Sequence, residues 1–319
     1  MEKEGQGQDQ GQDQGQVQRQ GQRDQQSRDS QWPNARIEPL AATFGACVYG
    51  LQLTTLSATD FARLYAYWLD YALLIFPEAA ISTTQQVEFA KRFGALEFDL
   101  AAISNVRASG EVRKDDAADG VMNILKGNMG WHCDSTYLPV QAKGAVFSAH
   151  QVPTEGGATG WADMRAAYDA LAPAQQQRLT QLSAYHSLYY SQARLGHDPA
   201  ADSQYSGYGF NDQPPPLRPL VKTHPETHRR SLLIGRHAYG IPGLSDAASS
   251  ALLDQLVDQA CQAPRVYHHQ WRPGDLVVWD NRALLHRATP WDLREPRVMY
   301  HSRIAGDPVS EFAAPDPVR

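Results

Sequence analysis

Apolar positions along most of the chain repeat with two different periods, and the switch between them predicts the elements. Ile37–Leu40 and Ala46–Tyr49 are short β-type runs separated by Phe44-Gly45, so the folded part opens with strands. Ser57 and Ser82 each precede a helical pattern, over 61–71 and 86–93, with Asp60 or Gln85 three residues on. A hydroxyl in that place accepts from free amides of the first turn, so both serines are expected to be N-caps. Between the two helices Ala72–Phe76 is apolar without interruption, which suits a buried strand. Further helices are expected after Asp163, running to Leu171, and after Ser245, where Leu252, Leu253, Leu256 and Val257 form one stripe. The period then shortens. Val266–Trp271, a Pro-Gly turn at Arg272–Asp275 and Leu276–Asp280 predict a β-hairpin, with more strands at Leu284–Ala288 and Arg297–Ile304.

Two stretches depart from these periods. Residues 1–30 hold eleven Gln and five Gly and almost no large apolar side chain, so they lack the means to pack; a tail over 1–34 and one folded domain over 35–319 are expected. Residues 186–216 are rich in Tyr, Ser, Gly and Pro, which suggests a lid-like insertion whose Tyr189, Tyr190, Tyr205, Tyr208 and Phe210 can cover a ring or alkyl group. Over the whole chain 42% hydrophobic and 20% charged residues provide enough surface to bury. A net charge of −6 argues against nucleic acid or an acidic membrane as partner and leaves small molecules. The best apolar run, Tyr65–Phe76, is broken by Asp70, so no membrane span is expected. Cys47, Cys133 and Cys261 are odd in number and form no CxxC pair, and there is no apolar signal core, which together point to the cytoplasm. Self-association as a homo-oligomer stays open.

Trp131-His132-Cys133-Asp134 is expected to follow a strand and continue extended, which turns His132 and Asp134 to one side and Cys133 to the other as a packed small hydrophobe. An imidazole and a carboxylate converging this way need one more ligand to make a 2-His-1-carboxylate facial triad, and His286, in a β-rich region, is the candidate. A His-x-acid triplet arises about once by chance in a chain of this composition, so the ordered set carries the weight. Gly156 and Gly157 are expected to form a tight turn.

That ordered set runs from Ile37–Leu53 and Gln85–Gly94 through Trp131–Asp134 and Gly156–Thr159 to Trp279–Arg282, His286 and Arg297. It resembles the 2-oxoglutarate-dependent dioxygenases of the taurine dioxygenase and 2,4-dichlorophenoxyacetate dioxygenase family over about residues 35–307. Trp161–Leu171 and Ile234–Ala238 look closest to its herbicide-cleaving branch. The resemblance implies a mainly β fold with flanking helices, a double-stranded β-helix or jelly roll with the metal between its sheets. It implies Fe(II) on His132, Asp134 and His286, with 2-oxoglutarate as co-substrate, its distal carboxylate on Arg297 and Thr159. An arginine fork suits a carboxylate better than a lysine does. It also implies that O2 is consumed, that succinate and CO2 are released, and that an aliphatic C–H of a small organic substrate is hydroxylated, an aryloxyalkanoate- or sulfonate-like acid being one candidate, with C–O or C–S cleavage where the carbon bears an ether or sulfonate. Asn128 matches a family active-site asparagine and is expected on the His132 face. Related halogenases lack the carboxylate, so Asp134 favours oxygen insertion. The chain departs from the family where a second arginine would hold an anionic substrate, since His301 stands there. His301, when protonated, or Arg303 can take the anion, or the substrate carries no strong anion; Arg303 can equally be a solvated strand-end charge. A zinc hydrolase on the same ligands and a non-catalytic jelly-roll binding module remain as rivals.

Overall fold

The computed structural model describes residue 32, residues 35–197 and residues 214–313. In chain order come β1 (Arg36–Pro39), β2 (Ala46–Tyr49), α1 (Ala58–Tyr71), β3 (Leu73–Phe76), α2 (Thr83–Lys91), β4 (Leu96–Ser104), α3 (Gly120–Gly127), β5 (Gly144–Gln151) and β6 (Thr159–Asp163). Next are α4 (Met164–Asp169), α5 (Pro173–Leu179), β7 (Ser183–His186), α6 (Leu188–Ala193), β8 (Leu217–Pro219), β9 (Val221–Thr223), β10 (Arg230–Leu232) and β11 (Ala238–Tyr239). The rest are α7 (Asp246–Ala260), β12 (Val266–His269), β13 (Leu276–Asp280), β14 (Leu284–Ala288), β15 (Val298–Ile304) and α8 (Pro308–Glu311).

Polar caps set where the helices begin. Ser57 Oγ accepts from the Asp60 amide at 3.0 Å, and Ser82 with Gln85 closes a reciprocal capping box, satisfying amides that a first turn leaves without partners. Asp163 and Ser245 cap α4 and α7 as expected. Seven strands form the larger sheet, in the order β1-β2-β3-β13-β5-β15-β4, and β12-β6-β14 form a three-stranded one. Successive residues of β3 divide between two cores. Leu74 and Phe76 meet Trp68, Phe89 and Phe93 of the α1/α2 side, whereas Leu73 and Ile75 join Val277, Trp279 and Met299 of their own sheet with Trp161 and Leu284 of the other. The two sheets thus share an apolar core, while α4 and α7 cover the small sheet's outer side through Met164, Leu253 and Leu256 against Ala162 and Leu285.

Three expectations need correction. The strands flanking Arg272–Asp275 do not pair: β12 lies against β6, and β13 lies between β3 and β5, so the turn carries the chain from one sheet to the other. All five residues of β13 are buried, which requires neighbours on both faces that a local hairpin would not supply. Trp131–Asp134 follow α3 and a turn rather than a strand. Within the expected insertion Ser187 caps a short helix, α6, because its hydroxyl accepts from the Tyr190 amide at 3.1 Å; Tyr205, Tyr208 and Phe210 lie outside the described residues, as does the tail apart from Trp32. Trp32 is buried and stacks on Tyr67. No helix among the described residues is long and apolar enough to cross a membrane.

Candidate active site

Backbone pairing brings two imidazoles together. His132 and His286 exchange amide-to-carbonyl hydrogen bonds of 2.9 and 2.8 Å as an isolated bridge, and their ring centroids lie 4.2 Å apart. This one bridge gives the extended geometry expected of a strand. Cys133 turns away, with Sγ 3.1 Å from the Asn281 carbonyl oxygen, and Asp134 returns to the cavity that both histidines line. The ligating atoms of His132, Asp134 and His286 all lie within 4.8 Å of one another, and all three residues are buried.

The donor chemistry fits a divalent metal. Asp134 Oδ1 accepts from Arg303 at 3.0 Å, while Oδ2 is buried with no hydrogen-bond partner, an unsatisfied state that a cation would relieve. His132 Nδ1 faces the Gly130 carbonyl oxygen at 2.8 Å, which leaves Nε2 as the ligating atom. Burial pulls His132 well below its ordinary pKa and His286 to about 4, so both rings present lone pairs at neutral pH. Burial alone would raise the Asp134 pKa, but Arg303 and the surrounding imidazoles outweigh it and hold the carboxyl well below the usual range.

Arg297 stands just ahead of β15 and is 2% exposed. Its Nε donates to the Gly157 carbonyl at 3.1 Å and its guanidinium lies 5.2 Å from the Trp291 ring centre, yet no carboxylate pairs with it among the described residues. Burial lowers its pKa to about 10, so at neutral pH it is an unneutralised cation facing the cavity. The Gly156-Gly157 turn makes that placement possible, since both have positive φ and a Cβ on Gly156 would sit 2.3 Å from the Pro290 oxygen. Thr159 lines the same end, and its Oγ1 accepts from Trp271 Nε1 at 2.9 Å.

The other end is apolar, walled by Ala101, Ala102 and Ile103 of β4, Val121, Ile124 and Leu125 on and beside α3, and Leu188 of α6. Asn128 does line the cavity, but from the C-terminus of α3 rather than from a strand. His301 and Arg303 both face the cavity from β15, across a register irregularity. Arg303 is no solvated strand end: it is buried, and besides Asp134 it meets Ser135 Oγ at 3.2 Å and Glu97 at 3.4 Å. His301 stacks on Trp279, its Nε2 lies 3.7 Å from Asp134 Oδ2, and burial pulls its pKa to about 3. Arg282 is held by Asp280 and Glu226, away from the cavity.

Sequence reasoning missed His237, whose ring lies 5.8 Å from that of His132. Its Nδ1 is 2.9 Å from Ser191 Oγ, which also accepts from the mostly buried Arg236 at 3.2 Å; no carboxylate pairs with Arg236 among the described residues. The only signal was its place in Ile234–Ala238, a segment singled out for likeness and given no chemistry.

Residues 36–303 match the family described as Taurine catabolism dioxygenase TauD, TfdA family. The chain belongs to that family, and it is a 2-oxoglutarate-dependent dioxygenase. It is 62% identical to the (S)-phenoxypropionate/alpha-ketoglutarate-dioxygenase of Sphingobium herbicidovorans, over 88% of this chain and 98% of that one. Against the alpha-ketoglutarate-dependent 2,4-dichlorophenoxyacetate dioxygenase of Cupriavidus pinatubonensis the figures are 37%, 85% and 98%. A crystal structure of AAD-2 in complex with Mn(II) and N-oxalylglycine superposes with a TM-score of 0.81 at 35% identity, covering 88% of this chain and 99% of that one.

Proposed function

We propose that this protein uses Fe(II), 2-oxoglutarate and O2 to hydroxylate the ether-bearing carbon of an aryloxyalkanoate, with 2-aryloxypropionates of S configuration as the preferred class. The carrying observation is one cavity that joins three convergent metal ligands to an unneutralised guanidinium and, beyond them, an apolar wall. The strand order supports a double-stranded β-helix, because β5, β6, β12, β13, β14 and β15 fall in the two sheets as large, small, small, large, small, large, so that every step but β6 to β12 changes sheet. Three free thiols accord with a reducing cytoplasm.

Iron(II), when bound, activates oxygen at positions the three side chains leave open. The protein's own groups do the rest. His132, Asp134 and His286 hold the metal, and Arg303 engages Asp134 Oδ1 so that Oδ2 stays free for it. Arg297 grips the distal carboxylate of 2-oxoglutarate as a fork, with Thr159 adding a hydroxyl. The substrate ring lies against Ile103, Val121, Ile124 and Leu125, near Asn128, and its carboxylate is drawn to His237 by the Arg236 charge behind it. His301 and Arg303, turned to Asp134, serve the metal rather than the substrate anion. Hydroxylation at the ether carbon gives a hemiketal that collapses to a phenol and a 2-oxo acid. A zinc hydrolase would leave Arg297 without a task, and a non-catalytic module would not need the metal triad.

Anaerobic Fe(II) and 2-oxoglutarate should give a metal-to-ligand charge-transfer band that (S)-2-phenoxypropionate perturbs, and admitting oxygen should release phenol and succinate in equal amounts. Failure to release phenol from either enantiomer would reject the substrate class; product release without oxygen would reject the reaction.

A further inference from the structure

Thr159 opens β6, in register with His269 of β12 and Ala288 of β14, and its hydroxyl is buried at the Arg297 end of the cavity. Its only partner among the described residues is the Trp271 indole, two residues past β12. An indole N–H can only donate, so the threonine oxygen is the acceptor in this bond and its single proton is left for another partner. Trp271 is itself held from several sides. Phe147 and His269 meet its ring edge-on at 5.5 and 4.7 Å, and His269 Nε2 lies 2.9 Å from Asp275 Oδ2. Asp275 is fixed in turn by the Arg272 and Glu78 amides. Among the other buried indoles Trp279 donates to Asn281 Oδ1 at 2.9 Å, whereas the N–H groups of Trp68, Trp161 and Trp291 have no hydrogen-bond partner, so such a bond is not automatic in this core.

We infer that Trp271 is a positioning residue: by donating to Thr159 Oγ1 it turns the Thr159 proton toward the distal carboxylate of 2-oxoglutarate. This rests on the co-substrate reading above. Removing the indole N–H leaves the hydroxyl free to rotate and to spend its proton elsewhere, and a donor made more acidic by accepting a bond is lost as well.

The test is anaerobic calorimetry of 2-oxoglutarate binding to the Mn(II)-loaded protein. Trp271→Phe should weaken binding about threefold to tenfold, the range expected for one net hydrogen bond, and raise the Michaelis constant for 2-oxoglutarate with little change in kcat. In a Thr159→Val background the same substitution should cost nothing further. Unchanged affinity in Trp271→Phe, or an equal loss in both backgrounds, overturns the inference alone; a wild-type protein that takes up no 2-oxoglutarate overturns the co-substrate reading with it. Should Trp271→Phe fail to fold, the unsubstituted zinc-loaded protein still decides. Its indole N–H resonance that moves in Thr159→Val should also move on adding 2-oxoglutarate, and a resonance indifferent to the ligand rejects the coupling.

Discussion

At the end of the cavity proposed for 2-oxoglutarate, Thr159 and His286 sit on paired strands in unbroken register, which fixes their orientations, and Arg297 stands just ahead of β15, whose pairing with β5 shifts register between Val298 and Met299. At the end proposed for the substrate Val121, Ile124, Leu125 and Leu188 come from α3 and α6, short helices fixed by side-chain caps and by each other. A ladder tolerates little displacement, whereas helices resting on apolar contacts can shift and repack. The contrast suits the proposed metal and 2-oxoglutarate chemistry to the strand-built end and the proposed choice of substrate to the helix-built one.

Substitutions of the metal ligands should have the largest effect. His132→Ala or Asp134→Ala is expected to abolish oxygen-dependent succinate formation, and turnover comparable to wild type in either would reject the triad. Next comes Arg297→Lys, in which a point charge replaces a fork whose charge-assisted bonds contribute roughly 1.5–3 kcal/mol each. The Michaelis constant for 2-oxoglutarate should rise at least about tenfold, with metal affinity measured by calorimetry unchanged. An unaltered constant would move the carboxylate away from the ladder-built end.

The sharper division is between His237 and His301. His237→Ala should raise the Michaelis constant for the aryloxyalkanoate about tenfold and leave that for 2-oxoglutarate alone, as loss of one charge-assisted contact implies. His301→Ala should instead weaken Mn(II) binding. If the two outcomes are exchanged, the anion lies at β15 and the division of labour is wrong.

A smaller effect concerns the scaffold under the substrate end. His186 on β7 is buried with neither ring nitrogen hydrogen-bonded, and burial, assisted by Arg218, pulls its pKa from 6.5 to about 3. The folded pKa is depressed, so the unfolded chain takes up the proton first; the stability is fully present above pH 6.5 and is lost as pH falls from there toward 3. Denaturant titrations should show His186→Gln removing about 1.4 kcal/mol per pH unit from that acid slope, and an unchanged slope would mean the ring is protonated in the fold. Deletion of residues 1–30, which lack an apolar set, should leave turnover and melting temperature unchanged; a loss of several degrees would show that the tail docks.

Much of this was legible before any coordinates. Ser57, Ser82, Asp163 and Ser245 mark helix starts because capping is settled within three or four residues. That His132, Asp134 and His286 converge, and that Arg297 faces the same cavity, was legible through the ordered motifs and the chemistry each demands. The false hairpin at Arg272–Asp275 shows where local reading ends: two β-type runs and a Pro-Gly turn state that the chain reverses, but not which strand each run will pair with.

What the amino-acid order determined by itself is therefore whatever short-range physics decides: caps, turns, buried runs, and the donor types at His132, Asp134, His286 and Arg297. The tertiary structure alone decided that Arg303 serves Asp134, that no carboxylate among the described residues pairs with Arg236, that His237 enters the cavity from a segment over 100 residues beyond His132, and that Trp271 spends its N–H on Thr159, 112 positions away. Those facts depend on which groups meet in a medium too dry to neutralise them, and a side chain's partner across the core is not encoded in its neighbours along the chain.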